Sequence, residues 1–294
     1  MVWGFIINIP MIHLILAILF TTLMIVVFKL IGMYRLNVEQ AVALNYLFAA
    51  VTGFIMMPDG VEVNTILEKE WLMYAVIAGT VFMANFYVFA ASSKKDGVAI
   101  TAVSSKMSVV IPVTAGFLLF EDSLSLFKLS GILLGLFSFY LILNPGKEIK
   151  INKEYVFLPI LLFLGTGTND TIVKYVQFNF LKGDESIFVD TVFLVSFILS
   201  FAVLIIRVAL KKVKVEIKSI LAGLVLGAVN FFGAWNFLKS MSYFEASVLF
   251  PVINVSVVVL SALTGIIIFN ERLRKINIMG ILIAITAILM ISLG

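Results

Sequence analysis

Two nine-residue stretches decide the fold of this chain: GFLLFEDSL at residues 116–124 and GIIIFNERL at residues 265–273. A shift of 149 residues lays the first on the second, and the match continues beyond them. A single matched pair means little among apolar helices, whereas a series of matches in one register indicates an internal repeat. The aligned pairs are Gly116 with Gly265, Phe120 with Phe269, Asp122 with Glu271, Leu124 with Leu273 and Gly131 with Gly280.

The composition around these stretches is that of an integral membrane protein. Hydrophobic residues make up 62% of the 294 residues and charged residues only 13%, whereas soluble domains carry about 25% charged residues. A membrane-spanning helix needs about 20 apolar residues, so the chain has room for about ten spans joined by short loops. A water-soluble fold is excluded, and no soluble catalytic or nucleotide-binding domain fits.

Apolar runs bounded by charged residues, glycine or proline predict ten transmembrane helices. The charged stretch around residues 144–154 divides them into two sets of five. The predicted domains are a first repeat at 1–144, a central linker at 145–154 and a second repeat at 155–294. The spans are predicted near residues 12–31, 38–57, 71–92, 97–119, 125–144, 156–177, 187–208, 218–240, 245–268 and 275–293.

The odd number of helices in each repeat fixes how the repeats are related. Two five-helix repeats in one continuous chain must enter the membrane with opposite orientations. The predicted fold is therefore an all-α integral membrane protein with ten transmembrane helices arranged as two inverted five-helix repeats. Many secondary transporters follow this plan and bind their substrate near the midplane, between the repeats.

Lysine and arginine are concentrated in the odd-numbered loops, and the even-numbered loops are nearly bare. The positive-inside rule then places the odd loops in the cytoplasm and both termini outside. The expected location is the plasma membrane or bacterial inner membrane, with a multi-pass topology. Loop topology and lipid head groups explain the net charge of +4, so membrane lipids are expected partners and nucleic acid is not.

The repeat frame, together with ten spans that carry Pro112 and Pro251 inside the fourth and ninth, resembles the EamA-type branch of the drug/metabolite transporter superfamily. The segments at residues 84–124 and 242–273 look like the two copies of that family's third-to-fourth and eighth-to-ninth helix region. The resemblance covers essentially the whole chain and implies a transport role, commonly export, without naming a substrate. Two features depart from the family: Lys106 lies inside the fourth span, and relatives are often described with cytoplasmic termini.

Lys106 is the first candidate for substrate binding. An ammonium group in the middle of a span costs about 3 kcal/mol on insertion scales and needs a partner or water. It points away from the small-residue stripe on the same helix, which we interpret as a packing surface. Lys106 either faces a cavity that receives a carboxylate or phosphate, or it is paired permanently with a buried acid.

The sixth span carries the most polar patch expected inside the membrane, with Asn169 and Asp170 next to each other. Asp170 is the candidate for proton coupling, and it could also balance the charge of Lys106. The alternative is an ordinary contact with Lys174 one helical turn later. Both interpretations stay open from the sequence.

Further polar and aromatic residues inside the spans are candidates for lining the substrate site. The repeat shift lays Phe86 on Trp235, which fits a symmetric cavity wall, although aromatic residues in membrane helices more often face lipid or pack in the core. Gly223 and Gly227 form a small-xxx-small stripe with Asn230 beside it, which favours helix packing. The complete set of substrate-binding candidates is Lys106, Asn85, Phe86, Tyr87, Asn169, Asn230, Trp235, Asn236 and Asn254.

The residue inventory argues against a cofactor or an enzyme. The chain has no cysteine and a single histidine, His13, so neither thiolate nor multi-imidazole metal sites can form. A membrane enzyme would need paired acids, a nucleophile with its base, or metal ligands on exposed loops, and the short loops supply none. No cofactor is expected.

The sequence therefore predicts a secondary active transporter, expected to export a small polar or amphipathic metabolite such as an amino acid by alternating access. Multidrug export of lipophilic cations is the alternative within transport. A further alternative, outside transport, is a non-transporting membrane subunit. Two halves in one chain can enclose a cavity without a partner, so a monomer is expected and a dimer stays open.

Overall fold

The structure, a computed structural model, describes residues 9–56, 66–95, 98–142, 157–181, 183–210, 212, 214–270 and 274–294. The predicted linker at 145–154 lies outside this range. The described residues form helices and connecting turns, without a strand among them. The helices are α1 (Ile9–Met33), α2 (Val38–Ile55), α3 (Leu72–Lys95), α4 (Val98–Met107), α5 (Val110–Leu119), α6 (Leu126–Ile142), α7 (Phe157–Asn179), α8 (Glu185–Ala209), α9 (Ile217–Met241), α10 (Ala246–Phe269) and α11 (Lys275–Leu293).

All ten predicted spans are helical, with ends that differ by three residues at most, except that the fourth is divided into α4 and α5. The division falls at Ser108 and Val109. Pro112 explains it, because proline has no N–H to donate to the carbonyl of Ser108 four residues earlier. The Ile111 N–H donates to that carbonyl instead, at 2.9 Å, in a tighter turn. The sequence analysis predicted one continuous helix here, which is wrong.

Within the described residues, eight helical segments are long and apolar enough to cross a membrane, judged by length and composition; one of them runs from Thr101 to Leu119 through the break. They make the chain a multi-pass membrane protein. The remaining two predicted spans are α6, which is shorter at 17 residues, and α7, which carries the polar patch around Asn169. The count of ten spans as an inverted repeat stays a prediction.

The helices run alternately between two faces of the bundle. We call the face at which α1 begins and α11 ends the terminal face, and the one at which α6 ends and α7 begins the linker face. In the packing, α1 lies against α9 and α3 against α7, while α2 lies against α8 and α6 against α11. Each of these pairs joins one half of the chain to the other, so the halves interdigitate.

Small residues bring α2 and α9 into close contact, as the stripe on α9 predicts. A Cβ atom added to Gly223 would lie 2.6 Å from the Ala41 carbonyl oxygen, and one on Gly227 would lie 2.6 Å from the Asn45 carbonyl oxygen. Beside them, the Asn230 amide donates to the Asn45 side-chain oxygen at 3.1 Å. Backbone approach and an interhelical hydrogen bond therefore hold this pair together.

This contact predicts the effect of adding one methyl group to α9. We expect Gly227→Ala to lower the free energy of unfolding by about 1–3 kcal/mol, because backbone atoms of α2 cannot move aside as a flexible side chain can. The measurement is equilibrium unfolding of the purified protein in mixed micelles.

The matched control is Gly32→Ala in α1, where an added Cβ meets nothing within 4 Å. Alanine favours a helix over glycine, so this variant should be at least as stable as wild type. Equal destabilisation of both variants would contradict the close approach of α2 and α9.

Candidate functional site

Lys106 reaches across the bundle to a neutral amide. Its Nζ donates to the Oδ1 of Asn254 in α10 at 3.0 Å. The Asn254 Nδ2 donates to the Phe250 carbonyl oxygen at 3.0 Å, so the amide oxygen is held toward the ammonium group. Lys106 lies at the last turn of α4, immediately before the break, so the break places the ammonium beside α10 instead of beside a continuing helix.

Asp170 is near Lys106 without forming an ion pair. The two groups interact electrostatically, but no contact within 4.0 Å joins their charged atoms. The alternative that Asp170 pairs with Lys174 is wrong. The Lys174 ammonium donates to Gln177 at 3.0 Å and to the Met241 carbonyl oxygen at 2.5 Å, at the terminal face.

Asn169 leaves a hydrogen-bonding site open next to Asp170. Its side chain is buried, and Oδ1 has no partner among the described residues. A buried amide oxygen without a donor is costly, which makes it a point where a bound molecule would be stabilised. One turn away, Gly165 leaves room for the Asn85 side chain, which contacts it directly.

Lys106, Asn254, Asp170 and Asn169 form what we call the central polar group. An ammonium has three donors, of which Asn254 occupies one, and the two acceptors on α7 are a carboxylate and an unfilled amide oxygen. Together they can bind a carboxylate on one side and an N–H donor on the other. The group is packed between helices: two hollows among the described residues have apolar walls, and neither is lined by Lys106 or Asp170.

Trp235 and Asn236 lie apart from the central polar group, near the terminal face. The Asn236 Oδ1 lies 2.8 Å from the His13 Nδ1, and its Nδ2 donates to the Phe232 carbonyl oxygen. The amide oxygen therefore faces the ring, and His13 is the donor. Trp235 contacts the same ring edge-on, with centroids 5.8 Å apart.

The other aromatic and amide candidates make contacts between helices. Phe86 stacks on Phe28 of α1, with centroids 5.8 Å apart, and its edge meets Tyr87. Asn230 is buried in its hydrogen bond to Asn45. The repeat-related rings of Phe86 and Trp235 thus have different neighbours. Of the candidates, the structure brings together Lys106, Asn254 and Asp170, and Asn169 precedes Asp170 in the same helix.

A second group of charges, of which only Asp122 stood out in the sequence, ties the halves together at the terminal face. The Lys128 side chain is 2% exposed, and its Nζ lies 2.6 Å from Glu245 Oε2, between α9 and α10. Ser123 adds two acceptors, its carbonyl and hydroxyl oxygens, each at 2.8 Å. Asp122 accepts from the Ser247 backbone N–H at 2.6 Å, which caps the beginning of α10.

Comparison with known proteins bears on the second half directly. The model of the EamA-like transporter family matches residues 156–293. The second half of the chain is therefore similar to EamA-like transporters over nearly its whole length. This match confirms the resemblance over residues 156–293, a range that falls within the predicted second repeat, 155–294.

Two further similarities extend over nearly the whole chain. A protein of Haemophilus influenzae described as uncharacterized is 28% identical over 284 residues, which cover 94% of this chain and 96% of that protein. A protein of known crystal structure superposes with a TM-score of 0.80 at 14% identity, covering 97% of this chain and 96% of the other. The second similarity shows that the two proteins share a fold.

The terminal-face ion pair predicts a response to acid. Burial would raise the pKa of Glu245, but hydrogen bonds and the charge of Lys128, with Ser123, hold that pKa below its usual range. A lowered pKa in the folded state stabilises the protein above the unfolded value of about 4.3, and this contribution is lost as the pH falls through the folded value. We expect Glu245→Gln to cost about 1 kcal/mol at neutral pH, a figure reduced because the carboxylate is partly exposed.

The control is Glu121→Gln, an exposed acid at the same face. The free energy of unfolding is measured at neutral pH and below about pH 4. At neutral pH only Glu245→Gln should be less stable than wild type, and in acid its stability should equal that of wild type. Identical stability of both variants at neutral pH would show that the ion pair contributes nothing.

Proposed function

We propose that this protein is a secondary active transporter that moves a small polar or amphipathic metabolite carrying a carboxylate, such as an amino acid, across the membrane. The substrate site is the central polar group, and Lys106 binds the carboxylate. The similarity of the second half to EamA-like transporters supports a transport role, and the central polar group supports the chemical class. The proposed direction is export, as the family resemblance suggests.

The observation that carries this proposal is the partner of Lys106. An ammonium held permanently for structure would be expected to pair with a buried acid, since a charge inside the membrane needs compensation. Lys106 instead donates to a neutral amide, and its nearest acid stays beyond ion-pair distance. A carboxylate can replace the Asn254 oxygen and bring the opposite charge that the neutral amide lacks, so that both partners of the hydrogen bond are ionised.

The acceptors on α7 favour a substrate with an amino group. Asn169 Oδ1 lacks a donor, and Asp170 carries no ion pair, so a substrate ammonium would satisfy both. A zwitterion therefore matches the group at both ends. Lipophilic cations, the alternative substrates, would find Asp170 but would be repelled by Lys106 at close range.

Asp170 is also the proposed residue for proton coupling. Its charge interacts with that of Lys106, so the two sites cannot be independent. A substrate ammonium beside Asp170 favours the ionised carboxylate, so substrate and proton compete at this residue. Binding of substrate and binding of a proton at Asp170 are thereby linked.

Alternating access is proposed as the mechanism, with the two interdigitated halves moving against each other as inverted repeats. The packing of helices from different halves, α1 against α9 and α3 against α7, supports this arrangement. Phe86 and Trp235 would then line opposite sides of the path. The charge bias of the loops supports an orientation with both termini outside, in the plasma or bacterial inner membrane, and a monomer is the proposed functional unit.

The experiment that tests this function is a thermal-shift screen of wild type and Lys106→Gln in detergent. The ligand sets are amino acids, organic acids, nucleotide sugars and cationic drugs. A ligand present at 100 times its dissociation constant adds about 2.7 kcal/mol of stability, so carboxylate metabolites should stabilise wild type and leave the variant unchanged. Lys69→Gln, which alters a surface ion pair with Asp184, is the control and should respond as wild type does.

Two results would contradict the proposal. Equal stabilisation of wild type and Lys106→Gln by lipophilic cations alone would favour multidrug export with a structural lysine. Stabilisation by a carboxylate without flux of that ligand into liposomes would indicate a binding subunit that does not transport.

A further inference from the structure

Asp190 is a buried acid for which the proposed transport mechanism has no role. It lies in α8, five residues after Glu185, at which the helix begins, or about 7–8 Å along the helix axis at 1.5 Å per residue. Its side chain is 7% exposed, and Oδ1 has no hydrogen-bond partner among the described residues.

The charged groups around Asp190 are already engaged elsewhere. The helices packed against α8 are α2, α3 and α9. Of the nearby cations at the terminal face that the structure describes, Lys69 pairs with Asp184 at 2.7 Å and Lys239 pairs with Glu185 at 3.0 Å. Asp190 receives neither of them.

The cations at the linker-face ends of these helices and the phenols along them do not compensate the Asp190 carboxylate. At the opposite end of α8, Arg207 pairs with Glu39 of α2 at 2.9 Å. Tyr46, also on α2, packs its ring against Phe193 of α8, with centroids 6.3 Å apart. Tyr74 and Tyr87 of α3 are neutral phenols. Nothing described around Asp190 therefore supplies a positive charge to its carboxylate.

The neighbour of Asp190 is the C-terminal end of α2. A Cβ added to Gly53 would lie 2.5 Å from Asp190 Oδ1, and Gly53 is in the last turn of α2. The C-terminal end of a helix dipole is negative. A carboxylate is repelled there, whereas a protonated carboxyl can donate a hydrogen bond.

We infer that Asp190 is a proton-binding site, separate from the central polar group, that exchanges its proton with water at the terminal face. An unpaired carboxylate inside a membrane span costs more than protonating it, so the carboxyl is neutral in this conformation. Movement of α8 away from α2 would expose it and release the proton. The site would thus give the carrier a second protonation step, distinct from that at Asp170. This use in transport rests on the proposed function, but the proton site itself does not.

Infrared spectroscopy tests the site without a substrate, because protonated carboxyl groups absorb apart from carboxylates and from histidine. Exposed acids are ionised at neutral pH, because their usual pKa is about 4. Purified wild-type protein should show a protonated-carboxyl band at neutral pH that shifts in heavy water and disappears as the pH rises to about 9. Asp190→Asn should lose this band, and about one protonated carboxyl per chain with it.

Two comparisons make the assignment specific. Asp170→Asn should keep the Asp190 band, and Asp184→Asn, which alters an acid at the start of the same helix, should leave the spectrum unchanged. If Asp190→Asn does not yield folded protein, the Asp170→Asn spectrum decides alone: one pH-dependent band supports the site and none overturns it.

The inference is overturned if Asp190→Asn keeps the full band. It is equally overturned if the band persists to about pH 9 and does not shift in heavy water, since Asp190 would then be a permanently neutral structural group. Neither result depends on the thermal-shift screen with metabolites. Loss of the carboxylate response there, with the Asp190 band intact, would refute the proposed substrate class and leave the proton site standing.

Discussion

A charged group inside a membrane needs a compensating partner, and the arrangement of this protein follows from how each such group meets that requirement. Four ion pairs join described residues, and each lies near a face of the bundle. In the middle, Lys106 is held by a neutral amide alone. The faces are therefore tied by contacts that compensate charge, and the centre keeps an ammonium that can accept a better partner.

The lipid environment also explains why the helices pack as they do. Lipid is as apolar as leucine, so apolar side chains give little drive for association, and close backbone approach must supply it. Gly223 and Gly227 let α9 meet α2, while Gly131 lets α6 meet Ile291 of α11. Because these pairs join different halves, the tightest contacts of the bundle lie between the repeats rather than within them. A carrier built in this way has to exchange contacts between its halves when it opens.

The sequence predicted the helices well because their ends depend on local signals, namely apolar run length and charged boundaries. The break in the fourth span escaped prediction although Pro112 was noticed, because proline inside a membrane helix is tolerated as often as it interrupts; Pro251 lies inside an unbroken α10. The partners of individual side chains could not be predicted from spacing. Asn230 proved to be a link to Asn45, and Trp235 a neighbour of His13, since both depend on how helices rotate against one another.

Lys128 and Asp190 were overlooked for a different reason, because each stands alone among apolar residues in a predicted span. That isolation was itself a signal, since a single charge in a span needs an explanation as much as a polar patch does. The structure gives the two residues different surroundings. Lys128 finds a carboxylate and two serine oxygens, whereas Asp190 finds the end of a helix. A cation with a full set of acceptors contributes to a stable closed face, but an acid without a countercharge can change its protonation state when its surroundings change. A compensated buried charge such as Lys128 stabilises one conformation, whereas an uncompensated one such as Asp190 responds to a change of conformation.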